Sequence, residues 1–166
     1  MTPAPLQLLD YWATSLHMEA NTGYDPRKPA KFEFDSIDVV SKVEKLESRK
    51  PEQNGSHWLV DLTVEQTAKQ GANLPYTFSV SLQGIVVAHP DLEGERLERL
   101  VRANGPAMLF GAAREMIRAA TGRGPHKAII IPSTNFLSQS DQSARPSSKK
   151  KSAKKVAGKR TRKARS

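Results

Sequence analysis

From Leu6 to Val87, hydrophobic and polar positions largely alternate with the two-residue period of half-buried strands. Leu6, Leu8, Tyr11, Leu16 and Met18 alternate only in part within a stretch rich in β-formers. This predicts a strand over residues 6–20 with room for a bulge. Asn21 to Pro29, with its Asn, Gly, Asp and two prolines, predicts a connecting loop. Phe32, Phe34 and, shifted in phase, Ile37, Val39 and Val43 alternate with charged residues and predict a second strand. Gln53-Asn54-Gly55-Ser56 is a hairpin turn, because Asn-Gly readily takes positive φ. Trp58, Val60, Leu62 and Val64 give the third strand, and Gly71-Ala72-Asn73 turns the chain again. Tyr76, Phe78, Val80 and Leu82, followed by Ile85, Val86 and Val87, give the fourth. Short turns between consecutive strands predict an antiparallel sheet.

The period changes at Asp91. Leu92, Leu97, Leu100 and Val101 recur at helical spacing, and Glu95–Arg99 and Glu98–Arg102 are spaced for i,i+4 pairing. Asn104-Gly105-Pro106 reads as the end of one helix and the start of another, with Pro at its first position. Leu109, Ala112, Ala113, Met116, Ile117 and Ala120 form a wide apolar face on the second helix, which runs to about Thr121 with Gly122 as its cap. Ala128 to Ile131 is a short apolar extended piece ending at Pro132. The predicted fold is α+β: a four-stranded antiparallel sheet followed by two helices. One sheet face can cover one helix face. The surplus apolar surface of the second helix therefore predicts an oligomer.

Charge divides the chain. Of its 166 residues, those from Asp141 to Ser166 hold eleven Lys/Arg against one acid, a net +10, while the preceding 140 carry a net −1. Residues 1–137 are expected to form one folded domain. Residues 138–166, too poor in apolar side chains to repay ordering entropy, are expected to be a disordered Lys/Arg-rich tail. Lys149, Lys150, Lys151, Lys154, Lys155, Lys159, Arg160, Arg162, Lys163 and Arg165 would attract polyanions by counterion release. Nucleic acid, ribosome and anionic membrane are all open as targets, as is a merely solubilising role. There is no cysteine, which removes disulfides and thiolate chemistry and fits a reducing compartment. No apolar run approaches the ~20 residues of a membrane helix, and Met1 to Leu9 lacks a basic leader region. A cytoplasmic location is the expectation.

Catalytic chemistry is hard to find. His17, His57, His89 and His126 form no HxH or HxxxH ligand pair, so no metal site is expected. No GxSxG, P-loop or dinucleotide fingerprint is present. Gly122-Arg123-Gly124 reads more simply as a helix end than as a phosphate loop. Glu93, Glu95 and Glu98 stand among Arg96, Arg99 and Arg102 as a solvated helix face. Asn54-Gly55-Ser56 matches a glycosylation sequon and reads as a turn. No enzyme activity and no cofactor are expected. The aromatics Phe32, Phe34, Trp58, Tyr76 and Phe78 are either core or lining of an exposed apolar groove.

The order of elements resembles that of the SecB family of protein-export chaperones. The likeness is carried by Gln83-Gly84-Ile85, by Asn104-Gly105-Pro106-Ala107-Met108-Leu109-Phe110-Gly111-Ala112-Ala113-Arg114-Glu115, and by the closing Pro132, Asn135 and Phe136. Met18-Glu19-Ala20 is similar to the family's Phe-Glu-Ala. The resemblance implies a SecB-like chaperone domain: a homotetramer, a dimer of dimers, that holds unfolded preproteins or nascent chains in apolar grooves. The implied delivery partner is the ATPase SecA, and no ATP is used by the chaperone itself. By position, Phe34, Ile37, Val39, Trp58, Leu59, Met108 and Phe110 are candidate groove residues. SecA contact is implied for an acidic sheet surface, where Glu19 is the candidate and Ser15 and Ser79 stand where acids are expected. SecB-like chaperones also serve toxin–antitoxin systems, with an antitoxin as client, and that reading stands beside export. A nucleic-acid or ribosome binder acting through its tail is the third.

Overall fold

The computed structural model describes residues 4–29, 37–47, 55–67 and 72–136. Four strands, β1 (Leu6–Ala20), β2 (Ile37–Lys45), β3 (Ser56–Gln66) and β4 (Tyr76–Ala88), form one antiparallel sheet in the order β1-β4-β3-β2. The alternation predicts the four strands and the antiparallel pairing of β2 with β3 and of β3 with β4, but β1, rather than pairing with the next strand in sequence, lies against β4. Phe32, Phe34, the Gln53-Asn54 part of the first turn and Gly71 lie outside the described residues, as does everything from residue 137 on. Gly55 sits at φ +72, the conformation expected of an Asn-Gly turn, and a side chain there would collide with the Ala88 carbonyl.

In β3 and β4 every second residue is buried, from Trp58 to Gln66 and from Tyr76 to Ala88. In β1 the register shifts twice, between Leu8 and Asp10 and between Ala13 and Ser15. Each shift inserts one residue and restores the phase. Leu8, Tyr11, Ala13, Leu16 and Met18 thus pair with Val86, Gly84, Leu82, Val80 and Phe78, all on one face. A strict period of two would have sent some of them to the other side.

That face is covered by a single helix, α1 (Gly94–Thr121), of 28 residues. This corrects the expectation of two helices. Pro106 lies inside α1 and removes one backbone hydrogen bond. Burial offsets that loss, because Ala103, Gly105, Pro106, Leu109 and Phe110 all pack inward. Asn104, rather than ending the helix, donates its Nδ2 to the Leu100 carbonyl at 2.9 Å. Helix and sheet meet closely at two glycines. A Cβ on Gly84 would lie 2.8 Å from Leu109 Cδ2, and one on Gly105 would lie 3.0 Å from Val60 Cγ2. The ion pair seen along α1 is Glu115–Arg118 at 3.1 Å, rather than the expected Glu95–Arg99 and Glu98–Arg102. The hydrogen bond and the charge of Arg118 hold the Glu115 carboxyl below its usual pKa, and Glu115 raises that of Arg118 in return.

Gly122 caps the helix as expected, its N–H donating to the Arg118 carbonyl at 2.9 Å, though in right-handed rather than left-handed geometry. The chain then returns along the structure in extended form, burying Ile129, Ile131 and Phe136. One phenol fastens this return. Tyr76 Oη accepts from the His126 N–H at 2.9 Å and lies 3.1 and 3.0 Å from the Thr121 and His126 carbonyls as donor. Thr121 Oγ1 donates to the Ile117 carbonyl and accepts from the Ile129 N–H.

Leu109→Ala is expected to cost about 2–5 kcal/mol in denaturant unfolding. Gly84→Ala alone is expected to cost about 1–3 kcal/mol by overpacking. The double variant should cost clearly less than the sum, since the new methyl enters the space Leu109 vacates. Strict additivity would mean that the two residues do not touch. Tyr76→Phe is expected to cost about 1–3 kcal/mol by leaving buried backbone groups unpaired. Its hydrogen-exchange protection should fall first at His126, whose N–H loses its acceptor.

Candidate functional site

α1 lies over β4 and β3 and reaches β1 as well, yet part of the β1 edge stays open. Tyr11 and Leu16 share the helix-covered face yet remain open, Leu16 by 54%. Leu9, the extra residue of the first bulge, is 58% exposed. Trp12 is exposed on the opposite face, where Leu59, Ile85 and Val87 are half-buried. On α1, Leu100, Met108, Ala112 and Met116 are half-buried, and Ala107 and Gly111 are exposed. A hollow of about 350 Å³ lined by Arg96, Arg99, Leu100, Ala103 and Asn104 opens on the same helix. The chain thus carries more apolar surface than its own helix and sheet can hide from one another.

The candidate groove residues do not meet on one surface. Phe34 lies outside the described residues. Ile37 and Val39 are half-buried at the β2 edge, on the helix-covered face. Trp58 is on the same face but only 2% exposed, with the Lys45 ammonium 5.9 Å from its ring centre. Leu59 points to the other face. Met108 is half-buried, and Phe110 is 5% exposed, edge-on to Phe136 at 5.8 Å. Trp58 and Phe110 therefore belong to the core of the isolated chain, while Ile37, Val39 and Met108 are within reach of solvent. The ten tail residues lie outside the described residues.

The sheet face turned away from α1 is rich in carboxylates, with the exposed apolar side chains Trp12 and Val40 standing among them. Pairing places Asp10, Ser15, His17 and Glu19 of β1 on it beside Ile85, Ser81, Ser79 and Thr77 of β4. Glu19, Ser15 and Ser79 thus share one surface. Asp61 and Glu65 of β3 and Asp38, Lys42 and Glu44 of β2 continue it. Asp61 accepts from Gln83 Nε2 at 2.7 Å, and Lys42 pairs with Glu44. Its hydrogen bond to Glu44, then the charges of Glu44 and Asp61, raise the Lys42 pKa.

The histidines stay apart, and among the described residues no cluster of three potential metal ligands occurs. His126 packs edge-on between Tyr24 and Tyr76, with Nε2 3.0 Å from the Asn21 carbonyl. Its role is in fastening the loop after β1 to the segment after α1. No described helix is long and apolar enough to cross a membrane.

A family model described as "Preprotein translocase subunit SecB" matches residues 26–145. The protein-export protein SecB of Alkalilimnicola ehrlichii is 30% identical over 101 residues, covering 61% of this chain and 50% of its own length. That of a Marinomonas species is 31% identical over 111 residues, covering 67% of this chain and 68% of its own. The chain therefore spans about half the length of the first relative and about two thirds of the second. Among solved structures, a SecB-like chaperone from Mycobacterium tuberculosis, in complex with a ChAD peptide from an antitoxin, superposes with a TM-score of 0.50 at 14% identity. The match covers 77% of this chain and 89% of that one. A Streptococcus agalactiae protein of unknown function superposes with a TM-score of 0.51 at 10% identity, over 76% and 96% of the two chains. At these identities the likeness is one of fold.

Proposed function

The chain belongs to the SecB family, and from that premise we propose that it is an ATP-independent holdase that binds unfolded polypeptides, preproteins for export among them, in apolar grooves. The observation that carries this reading is the uncovered apolar surface of β1 and α1, with Tyr11, Leu16 and Met108 open or half-open to solvent. Because each is already partly covered, burying the rest of such a side chain in a complex contributes on the order of 1 kcal/mol, without any bond being made or broken. A surface of this kind holds a client by area and lets it go by exchange.

The relatives compared above are named as protein-export proteins, which supports preproteins as the client class. In the mycobacterial protein the ligand is a peptide from an antitoxin. Assembly as a homotetramer, a dimer of dimers, would cover part of the open surface and join the remainder into longer grooves. In that arrangement Ile37, Val39 and Met108, which reach solvent in the single chain, would contribute to the groove walls. Delivery to SecA would use the acidic sheet face on which Glu19 stands. Binding, not catalysis, is the whole of the proposed activity.

The full chain is expected to suppress aggregation of a chemically unfolded client at stoichiometric amounts with no nucleotide added. Unchanged light scattering would sink the reading. Met108→Lys is expected to weaken client capture several-fold and, because Met108 is half-buried against the core, to cost about 0.5–2 kcal/mol in unfolding free energy, leaving the chain folded for the capture measurement. Equal capture by wild type and variant would remove Met108 from the groove.

A further inference from the structure

Opposite charges are segregated between two parts of this chain. Among the described residues, the sheet face turned away from α1 presents six carboxylates, Asp10, Glu19, Asp38, Glu44, Asp61 and Glu65, against one ammonium, Lys42. That ammonium is already engaged by Glu44. Asp38 and Glu65 stand directly opposite each other across the β2–β3 ladder. Like charges in register oppose strand pairing, and no cation forms an ion pair with either among the described residues. Such a face is incomplete on its own and gains stability from any cation brought to it.

The complementary charge is in the same molecule. Residues 141–166 hold eleven Lys/Arg and a single acid. The described chain ends at Phe136, packed against Phe110. Thirty residues follow, 137–166. At about 3.3–3.6 Å per residue they reach up to ~100 Å. Four strands about 4.8 Å apart make a sheet only ~15 Å across, so reach around its edge is no obstacle.

We propose that the acidic face of the sheet is a docking surface for the chain's own basic segment, residues 141–166, centred on the Asp38–Glu65 pair. The contact is electrostatic and many-valued: several lysines and arginines share the carboxylates, and no one pairing is required. The inference does not rest on the holdase reading, which concerns the apolar surface.

The test is zero-length carbodiimide cross-linking of the full chain at low ionic strength, with the linked peptides mapped by mass spectrometry. The expected links join Lys149, Lys150, Lys151, Lys154, Lys155 or Lys159 to Asp38, Glu65 or Glu19. They should disappear at 1 M salt, where the Debye length falls to about 3 Å. In the full-chain variant Asp38→Asn/Glu65→Gln the links to Glu19 should fall several-fold, while thermal stability holds or rises because the repulsion is gone. Links in isotope-mixed samples assign docking within one chain or between copies, and either result supports the surface. Absence of tail links at low salt, links directed to Glu93, Glu95 and Glu98 on the helix, or links unchanged in the variant would each overturn the proposal. Aggregation suppression by the same variant reads the holdase function separately.

Discussion

The structure depends on how closely one helix can approach one sheet. Gly84 and Gly105 remove the side chains that would hold α1 off, and Leu109 and Val60 fill the space directly. From that contact the rest follows. A helix seated over β4 and β3 can retain a proline in its middle, because packing on both sides of Pro106 offsets the missing backbone bond. The same seating leaves part of the β1 edge open. The exposure of Tyr11 and Leu16 is therefore a geometric result of a two-layer fold with a single helix in its second layer.

Two faces of one sheet come to differ in kind. The covered face is apolar from Trp58 to Val64 and from Tyr76 to Ala88, with its surplus at β1. The other face carries the carboxylates, set by the alternate residues of the same strands. The open apolar surface and the carboxylate surface are thereby separated by the thickness of a single strand layer.

Much of this was legible in the chain because it depends on period. β3 and β4 could be read residue by residue, since each buries one face and wets the other. The same alternation separates Trp58 from Leu59, so both cannot line one groove. The continuity of α1 was not legible: Asn104-Gly105-Pro106 is a strong local stop, and only burial against the sheet overrides it. The Glu95–Arg99 and Glu98–Arg102 spacings permit ion pairs, but on an exposed face the entropy of two long side chains opposes closing them. The clash of Asp38 with Glu65 needs the register of two strands, and the Tyr76 fastening joins residues about fifty positions apart. No local pattern encodes either. In β1 the broken alternation was the visible trace of two bulges, though the openness of Leu9 and Leu16 follows only from where the helix lies.

The strand order has a consequence for how the molecule is made. β1 leaves the ribosome first, yet its partner is β4, with Leu6 paired to Ala88. At roughly 5–20 residues per second, the 68 residues from Asn21 to Ala88 take on the order of 3–14 seconds to synthesise. For that interval the strand richest in exposed apolar side chains has no ladder to join. β2 and β3, by contrast, can form their hairpin within a few residues of synthesis. The nascent polypeptide thus passes through a stage in which its own leading segment is in the condition of an unfolded chain awaiting a holder.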